Sequence, residues 1–282
     1  MNSWIHQFMK RDFQRTIAIV NNKGGVGKTT SALNIASGLA MRGRKVLIID
    51  IDPQANTSLA LLGPDVLNLP TSIYDVLLEE DKPLRDIITP TLIKGLDLAP
   101  SHPNLANAEV NLTAVLGREK VLKRSMEHGL EAYNYIFIDC PPSLGLLTVN
   151  ALLTATEVYI PIAMTYFALE GVEQVMHTIN AVKRSLDHPN LAITGVIATF
   201  FDGRTRLSHE ILENIRTYFG DVVFQATIRK NVKLDEAQSH HQSVFDYAPK
   251  STGSVEYGSL VEEVIQHEST CPRRKSTRET SR

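Results

Sequence analysis

Short apolar runs alternate along this chain with longer stretches in which apolar positions recur every three or four residues. A run of the first kind suits a strand buried on both faces, and a stretch of the second kind suits an amphipathic helix. The alternation therefore predicts parallel strands joined by crossover helices. Strands are expected at 16–21, 45–51, 96–100, 135–139, 157–162, 192–200 and 222–228, and helices at 28–42, 72–79, 118–130, 144–154, 168–186, 208–219 and 254–267. No internal repeat is visible and no loop divides the chain. The fold class that follows is α/β: one doubly wound, mostly parallel sheet with helices on both faces, over residues 16–267, with ligand expected at the carboxyl ends of the strands.

Three segments carry candidate chemistry at such strand ends. The first strand runs into Asn22-Lys23-Gly24-Gly25-Val26-Gly27-Lys28-Thr29-Thr30, which opens the first helix. Glycines let backbone N–H groups turn inward on an anion, and a helix N-terminus adds partial positive charge, so Gly24 to Thr30 read as a phosphate cradle. Lys28 is placed to reach the β- and γ-phosphates and Thr29 to ligate Mg²⁺. The plain G-x-x-x-x-G-K-[ST] pattern has Asn22 at its first glycine, and Lys23 stands as a surplus lysine. A glycine turn without a ligand is the competing reading, and the strand–loop–helix context opposes it. The second segment, Ile49-Asp50-Ile51-Asp52-Pro53-Gln54, sets two carboxylates at a strand end, suited to orienting a water or supporting a metal. The third, Ile138-Asp139-Cys140-Pro141-Pro142, ends an apolar strand in a carboxylate suited to a Mg²⁺ water shell. Cys140 reads as a packing residue, since no His or metal set accompanies it.

Composition narrows the class. The chain has 282 residues, 43% of them apolar, and a formal net charge of -2, which supports a large core and excludes a globally basic nucleic-acid binder while permitting a local patch. Cys140 and Cys271 fit no metal spacing, and a reduced, cytoplasmic protein is expected. No apolar run approaches the ~20 residues that span a bilayer, and no signal peptide is evident. Both ends look like additions. Residues 1–15 form an extension in which Trp4, Ile5, Phe8 and Met9 sit at i, i+4 spacing with Lys10, Arg11 and Arg15 nearby, as in a short amphipathic helix. Residues 268–282 carry Arg273, Arg274, Lys275, Arg278 and Arg282 without an aliphatic or aromatic side chain, and are expected to be a disordered basic tail.

The order K-G-G-V-G-K-T-T resembles the deviant Walker A motif of the ParA/MinD family of ATPases, and D-x-D-P-Q and D-x-P-P resemble its second and Walker B motifs. The likeness runs over about residues 14 to 265, through Phe167-Ala168-Leu169-Glu170-Gly171, Phe201-Asp202-Gly203-Arg204-Thr205 and Asn231-Val232-Lys233-Leu234-Asp235-Glu236-Ala237. The resemblance implies that Lys23 crosses a dimer interface to the partner's nucleotide, that Asp52 orients the attacking water, that Asp50 supports the site and that Thr29 and Asp139 hold Mg²⁺. It is strongest toward partition ATPases. Those would use ATP and Mg²⁺ to form a homodimer, bind double-stranded DNA nonspecifically over the nucleoid, and answer to a ParB-like adaptor. Two DNA-contacting cations of that group align with Arg204 and Lys233, with Arg206, Arg229 and Lys230 beside them; solvated loop charge is the competing reading for each. Two departures stand out: Ile228-Arg229-Lys230-Asn231 replaces I-P-R-N, and Ser239-His240-His241 replaces S-H-G. A MinD-like membrane-surface or protein-cargo ATPase is the alternative, which the polar tail opposes and the aromatic and basic residues of Trp4–Phe13 keep open. A metabolic nucleotide-dependent enzyme is a third class, and its metal-cluster version is opposed by the absence of paired cysteines.

Overall fold

The computed structural model describes residues 13–166 and 168–270. Its strands are β1 (Arg15–Ile19), β2 (Val46–Asp50), β3 (Thr89–Pro90), β4 (Leu96–Ala99), β5 (Tyr135–Asp139), β6 (Glu157–Ala163), β7 (Ala192–Thr199) and β8 (Val223–Ile228). They form one sheet in the order β3-β4-β2-β5-β1-β6-β7-β8, parallel throughout except for the antiparallel β3–β4 pair at one edge. The register decides where chemistry can gather. Ile19 pairs with Asp139 and Asp139 with Asp50, so β1, β5 and β2 end level with one another. The loop after β1 and the carboxylates that close β2 and β5 are thereby brought side by side.

Strand periodicity explains the double winding. Successive side chains point to opposite faces. Leu47, Ile49, Ile136 and Ile138 therefore join one core, while Val46, Ile48, Tyr135 and Phe137 join the other. The first core takes the apolar faces of α3 (Ile73–Leu78), α5 (Val121–Ser125), α6 (Leu146–Thr154), α7 (Ala168–Ser185) and α8 (Arg206–Phe219). The second takes α1 (Lys28–Met41), α2 (Asn56–Leu62), α9 (Val232–Ser239), α10 (Val244–Tyr247) and α11 (Thr252–Gln266). A one-turn α4 (Ala108–Asn111) lies between α3 and α5 in the chain.

Several elements differ from the sequence reading. The helix expected over 118–130 is only α5, preceded by a 3-10 turn at Arg118–Lys120. Gly117 and Gly129 adopt positive φ on either side and break the periodicity. α2, α9 and α10 were not expected; each is too short to show a periodic pattern, and α2 starts after Ala55 in left-handed conformation rather than after a capping side chain. The expected domain edges also shift. Phe13 is buried and Arg15 belongs to β1, so the domain starts earlier than 16. Glu268, assigned to the tail, is buried; its carboxylate accepts from Arg44 at 2.8 Å and from the Tyr135 hydroxyl at 2.8 Å. The rest of the expected N-terminal amphipathic helix and of the basic tail beyond Thr270 lies outside the described residues.

Candidate active site

The loop between β1 and α1 is tied down at both shoulders. The Asn21 side-chain amide donates to the Pro161 carbonyl at 2.8 Å, and its oxygen accepts the Lys23 N–H at 3.0 Å. At the far shoulder the Thr199 hydroxyl donates to the Val26 carbonyl at 2.8 Å. Between them Gly25 and Gly27 take φ of 68° and 87°, values that disfavour a side chain. A Cβ on Gly24 or Gly25 would meet nothing within 4 Å, so the space beside this part of the loop is open. Gly27 caps α1 without a side-chain acceptor, and no acid occupies the first turn of that helix. Its N–H groups and dipole are left for an anion.

Lys28 folds back across this mouth and donates from Nζ to the Lys23 carbonyl at 3.0 Å. Burial lowers its pKa, opposed first by the charge of Asp139. An incoming phosphate would strengthen that opposition. The stem of Lys23 lies along α7: a Cβ on Gly171 would stand 3.0 Å from Lys23 Cε and 2.8 Å from Asn22 Oδ1. Asn22 Oδ1 is itself buried without a hydrogen-bond partner, while its amide donates to Gln174.

Asp139 forms the floor. Its Oδ2 accepts from Thr29 at 2.8 Å and Thr57 at 2.7 Å, and its Oδ1 is buried with no partner. Burial pushes its pKa up, against the two hydroxyls and Lys28, which pull it down. An orphaned carboxylate oxygen beside a threonine hydroxyl, at the foot of an open anion cradle, fits a hard divalent cation. Among the described residues no group of three or more His, Cys, Asp and Glu could hold a metal ion. A cation here would thus depend on Thr29, Asp139 and oxygens brought by the nucleotide.

Asp50 does not present itself to such a cation. It is fully buried, its Oδ1 accepts from the Asp52 N–H at 3.1 Å, and its Oδ2 accepts from Ser58 N–H at 2.9 Å and Ser58 hydroxyl at 2.7 Å. Burial raises its pKa first and the neighbouring Asp139 charge second. Through these bonds Asp50, expected as a metal-side carboxylate, anchors the turn that carries Asp52 and starts α2. Asp52 is buried on this turn, 7% exposed, with Oδ1 accepting from the Gln54 N–H at 3.0 Å. The Ser101 hydroxyl holds its carbonyl at 2.6 Å. The Cys140 thiol is raised by burial and by Asp139, and stays protonated packing material.

Thr57, Ser58, Thr199 and Ser101 escaped the sequence reading, and Gly171 entered it only within a stretch of family likeness, without a role. They are small residues outside the glycine loop and the carboxylate motifs. The signal available was the pair of hydroxyls one turn beyond Asp52, within a helix too short to be recognised.

The expected DNA-contacting cations are spread over the loop after β7, the first residue of α8, the loop after β8 and the start of α9. Arg204 is 90% exposed and pairs with Asp202 at 2.9 Å, and Arg206 pairs with Glu210 at 2.6 Å. Lys233 pairs with Glu236 at 2.7 Å and lies 5.8 Å from the Tyr247 ring centre. Arg204, Arg229 and Lys230 line one concavity of about 1220 Å³ at the ends of β7 and β8; Arg206 and Lys233 do not. Arg229, standing where a proline was expected, uses both its N–H and its guanidinium on Glu256. His241 stands where a glycine was expected and keeps a φ of 56°, held by a ring hydrogen bond to the Leu59 carbonyl at 2.8 Å.

Residues 14–193 match the family described as an AAA domain. The chain is 43% identical to the sporulation initiation inhibitor protein Soj of Bacillus subtilis, over 89% of this chain and 98% of that one. It is 41% identical to the chromosome partitioning protein ParA of Myxococcus xanthus, over 93% of this chain and 92% of that one. Among solved structures, cobyrinic acid a,c-diamide synthase of Mycobacterium smegmatis with bound ADP and magnesium superimposes with a TM-score of 0.78 at 31% identity, over 93% of this chain and all (100%) of that one. The septum site-determining protein MinD of Pyrococcus horikoshii, complexed with Mg-ADP, does so with a TM-score of 0.70 at 27% identity, over 93% and 100%.

Proposed function

The chain belongs to the ParA/MinD family of P-loop ATPases, and from that premise we propose that it is a partition ATPase. It binds ATP with Mg²⁺, pairs with a second copy around two nucleotides, binds duplex DNA without reading sequence, and hydrolyses ATP when a ParB-like adaptor engages it. The cycle positions plasmid or chromosomal DNA. The observation that carries the nucleotide chemistry is the unpaired, buried Asp139 Oδ1 beside Thr29 under an open glycine loop. The partition role is supported by about 40% identity to chromosome partitioning proteins over nearly the whole chain.

Each residue has a defined task in this reading. Backbone N–H groups from Gly24 to Thr30 and the Lys28 ammonium bind the β- and γ-phosphates. Thr29 and Asp139 hold Mg²⁺, which would neutralise charge building on the phosphates. Asp52, on a turn fixed by Asp50 and Ser101, orients a water toward the γ-phosphate. Lys23, stationed beside Gly171 in the single chain, reaches across the interface to the second copy's nucleotide. Arg204, Lys233, Arg206 and Lys230 meet DNA phosphates, exchanging carboxylate partners for phosphate where they have them. Among the described residues no helix is long and apolar enough to cross a membrane.

Calorimetry with Mg²⁺ and ATP tests the foundation. Wild-type protein is expected to bind saturably and the Lys28→Ala variant to lose that binding. Unchanged affinity in the variant would remove the phosphate-loop assignment.

A further inference from the structure

A second concavity, of about 750 Å³, lies away from the residues described above, between the end of α3, the 79–83 segment, Val115 with Leu116, and α5. Its wall is apolar where Leu78, Val115 and Leu116 face it, and Leu116 is 92% exposed. A bare leucine beside the apolar part of that wall is a contact open to a partner. The rim carries both signs: Glu80, Asp81, Glu127 and Arg124 have no ion pair among the described residues, while Glu79 is paired with Lys82 and Arg85 with Asp86, so the unpaired charge is mostly acidic.

We propose that this groove is the seat of the chain's own N-terminal segment, residues 1–12. Three observations select that occupant. The first is where the described chain begins. The Gln14 side-chain amide donates to the carbonyls of Leu130 at 2.6 Å and Tyr133 at 3.2 Å. Leu130 comes two positions after the groove residue His128, and the intervening Gly129 turn packs on Arg85, also of the groove. The described chain therefore begins close to the groove's own wall. The second is reach. Trp4 precedes Phe13 by nine positions, a span of about 13 Å as a helix or about 30 Å extended, either of which covers a few residues' distance along that wall. The third is chemistry. Trp4 with Phe8 and Ile5 with Met9 are i, i+4 pairs that make one apolar stripe, and Lys10 and Arg11 follow it with charge opposite to the rim acids. The segment beyond Thr270 is cationic as well but has no aliphatic or aromatic side chain with which to fill an apolar groove. This inference is independent of the ATPase reading.

Trp4 is the only tryptophan of the chain, so its fluorescence reports on the proposal directly. In the full-length wild-type protein, Trp4 emission is expected to be blue-shifted from that of the denatured chain, with a several-fold lower acrylamide quenching constant. Leu116→Glu, a change at an exposed position, and Glu127→Lys are each expected to raise that constant toward the denatured value while leaving the far-ultraviolet circular dichroism unchanged. Quenching in the wild type equal to that of the denatured chain overturns the proposal. So does protection that neither variant alters, protection that fades on dilution and thus belongs to a second copy, or protection that appears only with vesicles containing anionic lipid.

Discussion

At the scale of single residues, two lysines five positions apart have separable tasks. Lys28 is buried within the loop and charges the cradle; Lys23 lies outside it, along Gly171. Lys23→Ala is therefore expected to keep Mg·ATP affinity within about threefold, since the cradle survives, while hydrolysis falls at least tenfold, the effect of one transition-state contact worth about 1.4 kcal/mol. Steady-state ATPase assays beside calorimetry check this, and wild-type turnover would remove the trans role. Gly171→Ala should resemble it. Alanine favours helix by up to about 1 kcal/mol over glycine, yet its Cβ would stand 2.8 Å from Asn22 Oδ1 and 3.0 Å from Lys23 Cε. The expected variant is as stable as wild type and slower in hydrolysis. The buried pair Asp50 and Asp139 gives a pH signature. Both have pKa values raised by burial, so their contribution to stability is whole below the ordinary carboxylate range, near about pH 4, and is lost as pH rises above it. Ligand-free protein should melt lower at about pH 8 than at about pH 5, and Asp139→Asn should flatten that difference. An equal slope in the variant would contradict the assignment of the strain to this carboxylate.

At the scale of elements, the site's precision comes from contacts between secondary structures rather than from the loop alone. Thr199 of β7 and Pro161 of β6 hold the two shoulders of the loop, and Gln238 of α9 donates to the Thr30 hydroxyl at 2.9 Å. The strands other than the two-residue β3, the first helix and the three motifs were legible because each is a long periodic or unbroken pattern closed by a distinctive residue. Asp139 at a strand end and Gly27 at a helix start are such marks. What was not legible is short. α2 spans Asn56–Leu62 and brings Thr57 and Ser58 to the carboxylates, but seven residues show no clear period. The end of the domain was missed for another reason. A lone glutamate in a polar tail carries no burial signal, and only the fold sets Glu268 against Arg44 and Tyr135. Removing it leaves the Tyr135 hydroxyl, wholly buried, without its acceptor. Glu268→Ala should cost about 2 kcal/mol, a fall of several degrees in Tm. Thermal denaturation checks this, and an unchanged Tm would return Glu268 to the tail.

At the scale of the whole molecule, the parallel sheet gathers every reactive residue at its carboxyl edge, with cations of the β7–α8 loop and α9 on the same half of the fold. The single chain is not a strongly basic object there. Arg204, Arg206, Arg229 and Lys233 each hold a nearby carboxylate. Exposed pairs of this kind are weak and yield to a dense row of phosphates. Joining two copies around nucleotide would double the cations offered to one duplex, which makes DNA affinity depend on ATP without any new interaction inside either copy. Arg204→Glu with Lys233→Glu should weaken DNA binding and lower the log–log salt slope by about one unit for each phosphate no longer neutralised. Basal hydrolysis should be retained. The most direct test of the account is DNA binding by the Asp52→Ala variant, which keeps the cradle and loses the water-orienting carboxylate. With Mg·ATP it is expected to persist as a dimer and to bind unrelated duplexes equally well, and with ADP to do neither. A variant that stays monomeric with ATP, or binds DNA equally well without nucleotide, would contradict the partition mechanism.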